Sequence, residues 1–122
     1  MKLSSLLIGS ENPKILSDFY SEVLKTKPSF SQDNYVGIDT KGTYIVFGPH
    51  DKVHGRNPSP ERIIIFFESN DVNADFERVK LIDGVTVIQK PYSPGGDDKM
   101  LMATLADPDG NYFQIASPMP EN

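Results

Sequence analysis

Two rhythms of apolar positions alternate along this chain. In residues 11–28, Ile15, Leu16, Phe19, Tyr20, Val23 and Leu24 recur at three- and four-residue spacing, with polar residues between them. That period predicts an amphipathic helix. Asn12 is placed to cap it, Pro13 to occupy its first turn, and Pro28 to forbid its continuation. A second helical stretch follows Asn70, with Val72, Phe76, Val79 and Leu81 or Ile82 on one face and Gly84 as its stop.

The remaining apolar runs are short or alternate with a period of two, which predicts strands. They fall at residues 2–10, 29–33 (weak), 35–40, 43–48, 62–69, 85–92, 100–106 and 111–117. The run RIIIFFES at 62–69 reads as a strand buried on both sides. Lys41-Gly42 and the DPDG of residues 107–110 are tight-turn signals. Residues 49–61 are rich in Pro, Gly, Asn and Ser and divide the chain near its middle.

Each half therefore reads strand–helix–strand–strand–strand. Gly42-Thr-Tyr-Ile-Val-Phe echoes Gly110-Asn-Tyr-Phe-Gln-Ile, and Phe19-Tyr-Ser-Glu-Val echoes Phe76-Glu-Arg-Val. The expected architecture is an internal repeat of two modules, about 1–57 and 58–122, because one such half could not cover its own sheet.

Composition narrows the function classes. The 122 residues suit one domain with a real core, at 38% apolar and 24% charged. No apolar run approaches the ~20 residues that span a bilayer. The absence of Cys removes disulfides, thiolate metal sites and cysteine nucleophiles. A net charge of −5 without a Lys/Arg cluster argues against a nucleic-acid partner. The N-terminal apolar patch is too short for a secretory signal, so a cytoplasmic protein is expected.

The order of elements and several motifs resemble the glyoxalase, bleomycin-resistance and extradiol-dioxygenase group, the vicinal oxygen chelate superfamily. LIGSENPKILSDFYSEVL is similar to that family's first strand and helix. IIFFESNDVNADFERV is similar to the opening of its second module, and ADPDGNYFQI to its last hairpin. The resemblance implies an α+β fold in which two βαβββ modules form a curled mixed sheet, an open cup with helices outside, and a homodimer. It also implies four metal-ligand positions. These fall at or next to Ser4, near Val46, near Ile64 and at Gln114. Two hydrocarbons, a hydroxyl and a neutral amide give a dication no charge compensation. No metal and no cofactor are therefore expected.

If the ligand positions face the cup, alternation sorts the strands. The cup side then carries Ser4, Leu6, Ile8, Tyr44, Val46, Arg62, Ile64, Phe66, Glu68, Met100, Met102, Thr104, Tyr112, Gln114 and Ala116. The opposite side, with Ile45, Phe47, Ile63, Ile65, Phe67, Leu101, Leu105, Phe113 and Ile115, packs on the helices. The first set has the make-up of a small-molecule pocket, suited to a planar or cationic ligand. Tyr44, Arg62, Phe66, Glu68, Met102, Tyr112 and Gln114 are the candidate ligand-binding residues. The alternative is that these side chains fill the cup themselves or bury a dimer seam.

Three functions remain open on the sequence. The first is metal-free binding or sequestration of a small molecule, as in the bleomycin-resistance members that confer antibiotic resistance. The second is a lyase, isomerase or dioxygenase-like enzyme with a rearranged site. There Glu68 is the one inward catalytic candidate, tuned by burial beside Phe66, with Arg62 to neutralise an anion. The third is a regulatory subunit. His50 and His54 sit in an irregular loop and read as a surface pair or a rim acid or base. Asp107 and Asp109 lack the distal ligand of a calcium loop and read as a turn. Asp97 and Asp98, after Gly95-Gly96, read as a solvated loop or a lid.

Overall fold

The computed structural model describes residues 1–96 and 99–119. Asp97 and Asp98, expected in a solvated loop or a lid, lie outside the described residues. The chain divides into two compact units, Met1–Arg56 and Asn57–Asn122. The first contains β1 (Ser5–Gly9), α1 (Pro13–Leu24), β2 (Phe30–Gln32), β3 (Tyr35–Asp39) and β4 (Tyr44–Gly48). The second contains β5 (Ile65–Glu68), α2 (Val72–Val79), β6 (Thr86–Tyr92), β7 (Met102–Ala106) and β8 (Tyr112–Ala116). Each unit is a βαβββ module with one four-stranded mixed sheet, ordered β1-β4-β3-β2 in the first and β5-β8-β7-β6 in the second. The fold is α+β, and neither sheet closes on itself.

The repeat extends to single atoms. β1 runs parallel to β4, and β5 runs parallel to β8. Where each parallel strand ends, a serine begins the turn into the helix. Ser10 N–H donates to the Gly48 carbonyl, and Ser69 N–H to that of Ala116, at 2.9 and 2.8 Å. The Ser10 hydroxyl then accepts from Asn12 N–H, and the Ser69 hydroxyl from Asp71 N–H. The two helix starts differ in one respect. The Asp71 side chain accepts from Ala74 N–H at 3.0 Å and caps α2, whereas Asn12 occupies the cap position of α1 without a side-chain bond.

In the first unit, α1 buries Leu16, Phe19, Tyr20 and Val23 against the sheet face that carries Val36, Ile38, Ile45 and Phe47. Tyr20 stacks on Phe47 with ring centroids 5.4 Å apart. Ile15, expected on the buried side of this helix, is exposed. In the second unit, Val72, Phe76 and Val79 of α2 are buried with Leu105, Phe113 and Ile115. The second helix is shorter than its pattern suggested: Leu81 lies beyond its end and is exposed, while Ile82 is half-buried in the following turn.

Strand limits, register and exposure correct several expectations about faces. Leu6 pairs with Ile45 and Ile8 with Phe47, so both belong to the helix-covered face. Ser5 and Leu7 take their places opposite Tyr44 and Val46. Ser4 precedes the strand. The run at 62–69 is not buried on both sides. It is an edge strand of four residues beginning at Ile65, with Phe66 and Glu68 exposed. Arg62 and Ile63 precede it, and Ile63 is 72% exposed instead of packed on a helix.

The DPDGN segment has a structural task. The Asp107 carboxylate is buried and accepts from Asp109 N–H (2.9 Å), Asn111 N–H (3.0 Å) and Asn111 Nδ2–H (2.9 Å). Gly110 takes φ +82°, which closes the turn. The turn is also tied to the segment entering the unit: Asn57 N–H donates to the Asp109 carbonyl and Asn57 Nδ2–H to Asn111 Oδ1. Pro108 packs so close to Gly84 that an added Cβ there would lie 2.9 Å from its ring. This node fixes where β8 starts, and therefore which way Gln114 points.

Candidate functional site

β8 is an inner strand of the second sheet, so its alternate residues define the two faces. Phe113 and Ile115 face the helix, with Phe113 5.9 Å from the Phe67 ring. Tyr112, Gln114 and Ala116 therefore stand on the opposite face, where Gln114 and Ala116 are also buried. Register carries that face across the sheet. Gln114 lies between Phe66 of β5 and Thr104 of β7, and Thr104 pairs onward with Gln89. One step along, Ala116 lies between Glu68 and Met102, and Met102 pairs with Tyr92. In the other direction Tyr112 pairs with Ala106.

The structure thus brings Phe66, Glu68, Met102, Tyr112 and Gln114 onto one face. Arg62 is not among them. Its N–H closes a turn onto the Ser59 carbonyl at 3.1 Å, before the strand begins, and its side chain is exposed. Tyr44 belongs to the first unit's sheet.

Gln114 is unlike its neighbours. It is 9% exposed, and its Oε1 is buried without a hydrogen-bond partner among the described residues. A buried carbonyl left unpaired costs roughly 1–3 kcal/mol, and such groups are rare enough to need a reason. Ala116, two residues along the strand, and Ala106, diagonal to it, are buried as well.

Glu68 carries the face's carboxylate. It is exposed, so the burial beside Phe66 on which a proton-transfer role depended is not found. Among the described residues no hydrogen bond or ion pair engages it. The residues paired across this face include no Lys or Arg. Lys90 lies in the irregular stretch of β6 between the Gln89 and Tyr92 pairings and is exposed.

The open face of the first unit is aromatic. Phe30 lies across Gly37 and Tyr35 across Gly48, each ring occupying the space that a Cβ would need. Tyr44 stands 6.4 Å from Phe30, ring centroid to centroid. Sequence reasoning found Tyr44 and missed the other two rings. The signal was present in Asp33-Asn34, both at positive φ, a two-residue hairpin turn that sets the register of β2 on β3. On the rim of this unit, Gly55 N–H donates to Glu11 Oε1 at 2.6 Å, and His54 Nδ1 is 3.7 Å from Glu11 Oε2. The Gly55 bond chiefly holds the Glu11 carboxyl below its usual 4.5, with His54 adding to it. His50 accepts Lys52 N–H on Nδ1 and contacts Asp51, so the two histidines serve the loop.

The sequence model of the Glyoxalase/Bleomycin resistance protein/Dioxygenase superfamily matches residues 2–115. The chain belongs to this superfamily. Solved structures agree at the level of the fold. A glyoxalase/bleomycin resistance protein/dioxygenase family enzyme from Burkholderia phytofirmans PsJN superimposes with a TM-score of 0.79 at 21% identity, covering 98% of this chain and 100% of its own. A glyoxalase-related enzyme from Fulvimarina pelagi gives 0.77 at 18% identity, covering 96% and 88%. A glyoxalase/bleomycin resistance protein from Albidiferax ferrireducens T118 gives 0.73 at 16% identity, covering 96% and 98%. No curated protein matches the chain.

The superfamily's metal can be tested against the residues present. With the register corrected, its four positions read Ser5 or Leu7, Val46, Phe66 and Gln114. The one amide and one hydroxyl among them supply no negative charge. Among the described residues no group of three His, Cys, Asp or Glu side chains could hold a metal ion. This donor set does not fit a divalent cation. No helix among the described residues is long and apolar enough to cross a membrane.

Proposed function

We propose that the protein is a metal-independent small-molecule binder of the superfamily, of the sequestering type that the bleomycin-resistance members represent. The observation that carries this reading is the buried, unpartnered carbonyl of Gln114 at a family ligand position. A metal site would put a charged or basic donor there, and a core would put a hydrocarbon. A neutral acceptor among Phe66, Tyr112, Met102 and Thr104 suits an organic ligand that brings its own donor. The wall is apolar and adaptable, with methionine sulfur among the rings.

We further propose that it works as a homodimer. Each sheet ends on its parallel strand, β1 or β5, whose outer edge has no partner within its own sheet. Leu3, Leu7, Ile63 and Phe66, on or next to these strands, are exposed. Unpaired, apolar edges of this kind invite pairing with another strand.

Thermal unfolding in the presence of nickel, zinc, manganese or iron(II), and of a metal chelator, tests the binding reading. The expected result is an unchanged Tm in every case and a raised Tm with one or more members of a panel of flat organic amines and amides. A Tm raised by one metal and lowered by the chelator overturns it. An enzyme using Glu68 is the second reading, favoured by the unpaired carboxylate on the same face. It requires turnover that Glu68→Gln abolishes.

A further inference from the structure

The chain after β4 turns back onto the sheet it has just left. Gly9 of β1 pairs with Gly48 of β4, so both positions look to one face, opposite the helix-covered Ile8 and Phe47. At Gly48 the space of a side chain holds the Tyr35 ring. At Gly9 an added Cβ would lie 3.0 Å from Val53 Cγ2 and 3.4 Å from His50 Cβ. Residues 50–53 thus form a flap on the open face of the first sheet, one strand from the seat of Tyr35. Two bonds shape this flap, and His50 makes both. Its carbonyl accepts Val53 N–H at 3.0 Å, and its ring Nδ1 accepts Lys52 N–H at 3.0 Å. The ring bond needs a lone pair on Nδ1, so the imidazole there is neutral with its proton on Nε2. The same Nδ1 lies 3.3 Å from Asp51 Oδ1. The segment's far end is held differently. Gly55 N–H donates to Glu11 Oε1, and His54 Nδ1 stands 3.7 Å from Glu11 Oε2.

We propose that residues 50–53 are a proton-operated flap over this face, with His50 as the switch. A proton on Nδ1 removes the acceptor of Lys52 N–H and sets two N–H groups against each other. The imidazolium donates to the Asp51 carboxylate instead. The turn opens, Val53 leaves Gly9, and the strip of sheet beside Tyr35 is uncovered. Imidazole is the side chain that changes charge between about pH 5 and 8, so mild acidification throws the switch. The charged and titratable groups around the flap are Asp51 and Lys52 on its own turn, Tyr35 on β3, and Glu11 with His54 at the far end; Gly9 and Gly48 bring none. A proton on His54 acts in the opposite sense, because it adds attraction to Glu11. One end of the segment is therefore freed while the other is kept, and the flap swings about Gly55. This device holds whatever the face binds.

Nuclear magnetic resonance on the full chain, between about pH 8 and about pH 5, tests the switch. The variant His54→Gln leaves His50 as the one histidine that titrates. The cross-peak between the Val53 methyls and Gly9 Hα is expected at the upper pH and should fall about fivefold or more at the lower one. The Lys52 amide should move along the titration of the His50 ring, while the Gly55 amide stays in place, since its Glu11 partner is held below 4.5. His50→Asn supplies a side-chain oxygen for the amide two residues on and does not titrate, so it should keep the cross-peak at both pH values. His50→Lys, a cation without an acceptor, should lack it at both. Position 50 is exposed, and the unchanged spectrum of α1 is the folding control. A cross-peak that survives acidification while the ring titrates overturns the proposal. So does a loss that persists in His50→Asn, a cross-peak retained in His50→Lys, or a Gly55 amide that moves together with Lys52.

Discussion

Replacing Gln114 by Met should make the free protein more stable, although it removes a polar residue from the centre of a sheet. Gln and Met are both unbranched and close in volume, so the swap conserves packing and costs little in strain. The change removes a buried acceptor with no partner, a group that costs roughly 1–3 kcal/mol when left unsatisfied. Gln114 is 9% exposed, so water can relieve only a small part of that penalty. A net gain of about 1 kcal/mol is expected, which for a chain of this size is about 4 °C in Tm. Urea unfolding at fixed protein concentration reads it directly: the midpoint should rise with an unchanged slope. The same variant should lose its stabilisation by ligand, since a site held in an unfavourable free state is where stability and function oppose each other. A loss of 1 kcal/mol or more in the ligand-free variant would refute the reasoning. It would mean that the amide makes a stabilising bond in the free protein.

Other outcomes follow from the same geometry. Gly37→Ala should cost about 1–3 kcal/mol, because its methyl must displace the Phe30 ring; in a Phe30→Ala background most of that cost should vanish, a coupling that a double-mutant cycle measures. Asp107→Ala should destabilise by more than about 3 kcal/mol, since three donors at the head of β8 lose a buried carboxylate together; chemical denaturation checks it, and a loss under 1 kcal/mol would contradict the role of the turn. Glu11 has a folded value held below 4.5 by Gly55 N–H, so the loop tie contributes fully above 4.5 and is lost as pH falls through that lower value. The Gly55 amide resonance should therefore move with acidification in the wild type and stay flat in Glu11→Gln.

Much of the fold was legible because its signals are local. The helix of residues 13–24 needed only its period and Pro13, and the hairpin turns needed only their Asp, Asn and Gly residues. The repeat was legible because Tyr44 and Tyr112 follow glycine turns in strands with the same parallel partner in each unit. What failed depends on register, which links strands far apart in sequence. Leu6 and Ile8 read as cup-facing in the sequence because β1 carries apolar residues on both sides, so its alternation has no clear phase, and Ser4 lies just before the strand. Arg62 was drawn into the site because the isoleucines after it hide where the strand begins. Phe30 and Tyr35 were missed because their placement depends on glycines one strand away. Gln114 was legible as a position, four residues after Gly110. Its unpaired carbonyl was not, because an absent partner is a property of the packed sheet.

The most direct test of the central claim is the native mass of the untagged protein, purified without chelators from cells grown with trace metals. The expected result is a dimer whose mass contains no transition metal, carrying an organic adduct that Gln114→Met no longer retains. One nickel, zinc, iron or manganese ion per chain would contradict it.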